Sequence, residues 1–138
     1  MVTVEYPHQF SYREIAEGQS PVLQVTISRL DGDDGAIDVD AYLDSGASTS
    51  LFNGFLVTQL GLGLINDRKK VFQSTVGSSI DAYLHRVRIT LFDIGIFDLE
   101  IAFSNGEISR NLLGRDFFNL VQIGFRERRL EYYLNPHP

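Results

Sequence analysis

The sequence contains no cysteine, which excludes a disulfide framework, a thiolate zinc site and a cysteine nucleophile. That absence leaves the compartment open. Basic residues are outnumbered, 12 Lys+Arg against 18 Asp+Glu, for a net charge of −6. Nucleic-acid binding needs a basic footprint to meet phosphates, and an anionic membrane surface attracts basic segments. Neither partner is expected. No apolar run approaches the roughly 20 residues of a membrane span. The opening Met1-Val2-Thr3-Val4-Glu5-Tyr6 lacks the basic start and apolar stretch of a signal peptide. The expectation is a soluble, cytoplasmic chain. His8, His85 and His137 are too scattered to suggest zinc, and His85, on an alternating stretch, reads as a surface or interface residue. The acidic group Asp31, Asp33, Asp34, Asp38 and Asp40 lacks EF-hand spacing and has Tyr42 where a bidentate Glu would sit. No G-x-S-x-G elbow or P-loop is present. No metal and no cofactor are expected.

What is present is ordinary soluble composition, 43% hydrophobic and 22% charged, in a length that suits one domain over residues 1–138. The chain reads as short strands divided by turn signals. Val22 to Ile27 is rich in β-branched residues, and Asp31 to Gly35 breaks it. Ala36 to Leu43 then alternates, with Ile37, Val39 and Ala41 on one side and Asp38, Asp40 and Tyr42 on the other. This predicts a hairpin that delivers Asp44 at its end. Asn53 to Leu60 predicts a short helix with Phe52, Phe55, Leu56 and Leu60 on one face and Gly61 as its stop. Val71 to Ser74 and Ile80 to Leu91 predict a second hairpin about the small-residue turn Thr75 to Ser79. Ile96 to Phe103 and Leu112 to Gly114 follow as strands, Arg115 to Leu120 as a helical turn or two. A last hairpin, Val121 to Phe125 with Leu130 to Leu134, encloses the solvated turn Arg126 to Arg129. The fold class expected is all-β, a small barrel or sandwich.

The stretch Leu43-Asp44-Ser45-Gly46-Ala47 ends a strand in a carboxylate, followed by a hydroxyl, a glycine and a small residue. A carboxylate can act as general base on a water and as acid on a leaving group. Gly46 lets backbone N–H groups approach the carboxylate oxygens, and Ser45 offers a short hydroxyl as an anchor. As a tripeptide alone, D-S-G is equally a common turn. A lone carboxylate of ordinary pKa cannot easily serve as base and acid at one pH, but two sharing a proton can. At ~4 Å and an effective dielectric of about 20 their repulsion is roughly 4 kcal/mol, about three pKa units. One then stays protonated while the other is ionised.

Asp44-Ser45-Gly46-Ala47, together with the downstream Asn111-Leu112-Leu113-Gly114-Arg115-Asp116, resembles the paired motifs of the retropepsin-like aspartic proteases. The hairpin around Gly77 lies between them, where that family carries its substrate-covering flap. The order matches from Val22 to Tyr133 and looks closer to cellular or bacterial members than to a viral enzyme.

The resemblance implies one lobe of a closed acid-protease β-barrel with one or two short helices, active as a two-fold dimer. Residues 1–20 would be an N-terminal extension and residues 71–85 the flap. Asp44 would be the catalytic aspartate, one per protomer, on a turn supported by Ser45, Gly46 and Ala47, with Ser45 bonding across the two-fold axis. Val76, Gly77 and Ser78 would meet substrate at the flap. Leu112, Leu113, Gly114 and Arg115 would brace the turn. Ser48 stands where viral members carry an acidic partner for that arginine, so Arg115 lacks its usual mate. The activity implied is a homodimeric aspartic endopeptidase, its partners a second copy of the chain and a peptide or protein substrate. The alternative is a catalytically idle dimerisation or peptide-binding module on the same fold. An unrelated small β-barrel binding protein is a third reading.

Overall fold

The computed structural model describes residues 8–16, 18–73 and 77–136. Its central feature is a sheet whose strands run β4–β5–β10–β6–β9–β8–β7. These are β4 (Val22–Arg29), β5 (Gly32–Leu43), β6 (Leu51–Asn53), β7 (Lys69–Gln73), β8 (Ser79–Leu91), β9 (Gly95–Ser104) and β10 (Asn111–Leu113). An additional antiparallel pairing of β4 with β8, Ile27 opposite Ile89, turns the sheet back on itself. The enclosed face carries the core: Val25, Ile27, Val39, Ala41, Leu43, Val87, Ile89, Ile101 and Leu113 are all buried. Period-two alternation does this, since every second side chain of a strand points to the same face. Two short helices, α1 (Phe55–Gln59) and α2 (Arg115–Phe118), are seen among the described residues.

A second sheet joins the two ends of the chain. β1 (His8–Ser11) pairs with β12 (Glu131–Pro136), which pairs with β11 (Val121–Arg126). Tyr132 is fully buried there, stacked on Phe10 at 5.1 Å, and its hydroxyl donates to the Val22 carbonyl at 3.0 Å. Burial pushes that phenol's pKa up. The Tyr12 hydroxyl likewise bonds to the Glu127 carboxylate. A two-stranded ribbon, β2 (Arg13–Ile15) with β3 (Gly18–Ser20), lies between β1 and β4 in sequence and is tied to β5 by the Arg13–Asp40 ion pair at 2.9 Å.

The mainly-β class, the two hairpins about β4–β5 and β11–β12, and the helical turn after Gly114 agree with the sequence reading. Four details do not. The break expected at Asp31 to Gly35 is a turn at Leu30–Asp31, and β5 already starts at Gly32. Arg29 pairs opposite Gly32, and the acidic segment tolerates strand geometry because Asp31 and Asp34 stay exposed. The helix expected from Asn53 starts only at Phe55, because Asn53 ends β6 and binds Asn111. Phe55 is exposed rather than on the core face. His85 is half-buried rather than open on the surface: its ring nitrogen lies 2.8 Å from the Leu64 carbonyl and its ring packs edge-on to Phe103. Gly61 does stop the helix, at φ +82.

Candidate functional site

Asp44 follows the end of β5, which runs parallel to β10 with Leu43 paired with Leu113. Its backbone N–H donates to the Leu113 carbonyl at 2.9 Å, extending that ladder by one step. The chain then turns: Ala47 N–H donates to the Asp44 carbonyl at 3.2 Å, and Gly46 N–H donates to Asp44 Oδ1 at 2.8 Å. One carboxylate oxygen is thus fixed by a backbone donor. The other accepts no hydrogen bond among the described residues. The side chain is half-buried, while Ser45 and Gly46 are exposed. The Ser45 hydroxyl has no partner among the described residues.

The downstream motif packs onto this turn through its backbone. Arg115 N–H donates to the Ala47 carbonyl at 2.8 Å. A Cβ on Gly114 would sit 2.6 Å from that same oxygen and 3.1 Å from the Thr49 carbonyl carbon, so only glycine allows the approach. Leu113 is fully buried beneath the turn, and Leu112 is half-exposed on the opposite face, paired with Tyr42.

The anchor that sequence reasoning missed is Ser50 with Asp116. Ser50 is fully buried; its N–H and hydroxyl donate to the two Asp116 carboxylate oxygens at 2.9 and 2.7 Å. The Ser50 oxygen in turn accepts Gly114 N–H at 3.1 Å, and Phe117 N–H caps Asp116 Oδ1 at 2.8 Å. These bonds satisfy every polar atom of a buried junction, which would otherwise carry a heavy desolvation cost. Arg115 itself points to solvent and has no side-chain partner among the described residues. The bracing role thus falls to Asp116. The signal was present in the sequence as a serine just beyond the first motif and an aspartate at the end of the second, but nothing local pairs them.

Tyr42, two residues before Asp44, lies on the same face of β5. The Arg110 guanidinium sits over its ring at 4.3 Å. Beside them opens a pocket of about 540 Å³ lined by Arg13, Ile15, Tyr42, Asn53, Arg110 and Asn111. Asp44 is not among its lining residues, so it stands beyond the pocket, not inside it.

The intervening hairpin is β7 against β8, with Lys70 opposite Ala82 and Gln73 opposite Ser79. Of the residues expected at a flap, Val76 lies outside the described residues; Gly77, at φ +83, and Ser78 are exposed. The hairpin meets the Asp44 segment through Lys70, whose Nζ donates to Thr49 Oγ1 at 2.8 Å. Phe72, on the same inner face, packs on Leu51, Ala82 and Ala102. Neither Lys70 nor Thr49 was singled out from sequence. Among the described residues no cluster of His, Asp or Glu could hold a metal ion, and no helix is long and apolar enough to cross a membrane.

Among curated proteins none matches the chain. Two solved structures show the same fold. A retropepsin-like aspartic protease from Rickettsia conorii superposes with a TM-score of 0.63 at 12% identity, covering 92% of this chain and 98% of that one. The EIAV protease, complexed with the inhibitor HBY-793, superposes with a TM-score of 0.57 at 18% identity, covering 72% and 86%. The aspartyl protease family matches residues 23–117, a stretch that runs from β4 through the Asp44 turn and the β7–β8 hairpin into α2. By that match the chain belongs to the aspartyl protease family, and its fold is the retropepsin-like one.

Proposed function

We propose that the chain is a homodimeric aspartic endopeptidase in which two Asp44 carboxylates, one from each protomer, act on a single water. The observation that carries this is a one-sided site. The sequence holds one D-S-G turn, and its Asp44 has one oxygen held by Gly46 N–H and the other unbonded among the described residues. A second carboxylate on the same strand is out of reach, since Asp40 lies four residues back, roughly 13 Å along an extended strand. Two-fold symmetry supplies the missing partner.

In the dimer the ionised carboxylate takes a proton from the water as its oxygen attacks the peptide carbonyl carbon. The protonated one donates to the carbonyl oxygen. Proton transfer to the leaving nitrogen then accompanies cleavage of the C–N bond. Gly46 and Ala47 hold the carboxylates in place, and Ser45, with its free hydroxyl, bonds to the partner turn. Leu112, Leu113, Gly114 and Arg115 brace the turn from below, the last by its backbone. The substrate lies extended beneath Gly77 and Ser78, pairing its backbone with strand edges.

Mixing wild-type chain with Asp44→Asn at constant total concentration tests the shared site. If each active centre needs two aspartates, activity follows the square of the wild-type fraction, about one quarter at an equal mixture. Activity proportional to that fraction overturns the shared site. Peptides that bind but are never cut by the wild type overturn the endopeptidase.

A further inference from the structure

Most cations of this acidic chain that touch another charge are matched. Arg13 pairs with Asp40, Arg29 with Asp31, Arg68 with Glu100, Lys69 with Asp81 and Arg88 with Asp98. These pairs sit open to water and contribute little to stability. Lys70 differs from its neighbour Lys69. It is partly buried, on the inner face of β7, and no carboxylate pairs with it among the described residues. Its Nζ has the Thr49 hydroxyl at 2.8 Å and the Phe72 ring centroid at 5.4 Å. An ammonium carries three donors, and one is used here. Partial removal of a cation from water without an anion is unfavourable, and the deficit is recovered when an anion arrives.

The place of this charge matters as much as its lack of a partner. Thr49 belongs to the segment between Asp44 and the buried Ser50, so Lys70 is anchored to the Asp44 turn. Phe72, the next residue on the inner face, packs on the cluster of Leu51, Ala82 and Ala102. Lys70 therefore stands where the hairpin and the turn segment meet. An extended peptide running along that seam would present every second side chain to the same wall.

We propose that Lys70 is a specificity-determining residue that receives the carboxylate of an Asp or Glu side chain, within a few residues of the cleaved bond. This rests on the endopeptidase reading above. Two remaining N–H donors suffice for a charge-assisted contact. The chain's net charge of −6 gives an acidic peptide no long-range attraction, so the preference has to come from this local contact.

The test uses the dimer of this chain and peptide sets carrying Glu, Gln or Lys in turn at each position within three residues of the bond. The wild type is expected to cleave the Glu peptide with about tenfold higher kcat/KM than its Gln twin at one position, chiefly through KM. Lys70→Met should bring that ratio near one, Lys70→Arg should restore it, and Lys70→Glu should turn the preference toward Lys. The melting temperature of Lys70→Met should be unchanged or higher, because the charge it removes is unmatched; a purely structural lysine would lower it. A Glu-to-Gln ratio that is the same in wild type and Lys70→Met, or the absence of any Glu preference in an active wild type, overturns this inference alone. No cleavage of any peptide by the wild type overturns the endopeptidase reading, and this one with it.

Discussion

The Asp44 turn and the β7–β8 hairpin meet at Lys70 and Thr49, yet they are built by opposite means. The turn is held by backbone and side-chain bonds from residues far along the chain: Leu113, Gly114, Arg115 and Asp116 all bond to the stretch from Asp44 to Ser50. The hairpin is held by its own local ladder, Lys69 to Gln73 against Ser79 to Tyr83. β7 is the last strand in the sheet order and, among the described residues, has β8 as its one neighbour. A network of fully satisfied buried bonds fixes geometry, whereas an edge arm with few buried contacts opens at low free-energy cost. Holding a reacting carboxylate calls for the first construction; admitting a peptide calls for the second. Changes in the turn should therefore appear in stability or chemistry, and changes in the hairpin in substrate preference.

The largest effect expected is Asp44→Asn, which should lower kcat by roughly 10²–10⁴-fold or more, the scale of a lost general acid–base pair. The asparagine amide oxygen can still accept Gly46 N–H, so melting temperature and dimer mass should hold. A large loss of stability in this variant would mean that Asp44 serves the fold, and the contrast between the two regions would fail at its centre. Gly114→Ala comes next. The new methyl would press on the Ala47 carbonyl, a backbone atom that cannot swing away, at a cost of roughly 1–3 kcal/mol read as a lower denaturation midpoint. Asp116→Ala should cost about 1–3 kcal/mol, because the Ser50 N–H and hydroxyl lose their acceptors inside the protein. Asp116→Asn keeps an acceptor and should lose less. The same changes should leave the Glu-to-Gln preference at Lys70 intact in whatever activity survives.

The difference between the two regions also explains what could be read from sequence. The β7–β8 hairpin was legible because alternation at Tyr83, Val87, Ile89 and Leu91 is a local signal, as was the D-S-G-A turn with its L-L-G counterpart. The bonds that set the turn were not. Ser50 and Asp116 are polar residues of ordinary appearance, and their pairing depends on β5, β6 and β10 lying side by side. The N-terminal strands were hidden for a similar reason. His8–Ser11 shows no pattern of its own and becomes a strand because β12, at the other end of the chain, offers it a ladder. β6 has three residues, all buried, too short for any period to emerge. The Ser48 departure left the partner of Arg115 open, and among the described residues its side chain has none, but the sequence did not indicate that the neighbouring Asp116 would do the anchoring.

Thr49→Val probes the seam between the regions and should have the smallest effect. It keeps the shape of the side chain and removes the hydroxyl that Lys70 Nζ contacts. The hydroxyl is half-open to solvent, so water can replace it, and the loss should stay below about 1 kcal/mol. With Thr49 gone, Lys70 has all three donors available but no fixed direction, so the preference for an acidic side chain should weaken while the melting temperature barely moves. Chemical denaturation and the Glu-to-Gln ratio, measured on one preparation, separate the two outcomes. A loss of stability as large as that of Asp116→Ala would show that Thr49 and Lys70 belong to the turn's own network. The hairpin would then be an extension of the rigid base, and its part in choosing substrates would have to lie beyond Lys70.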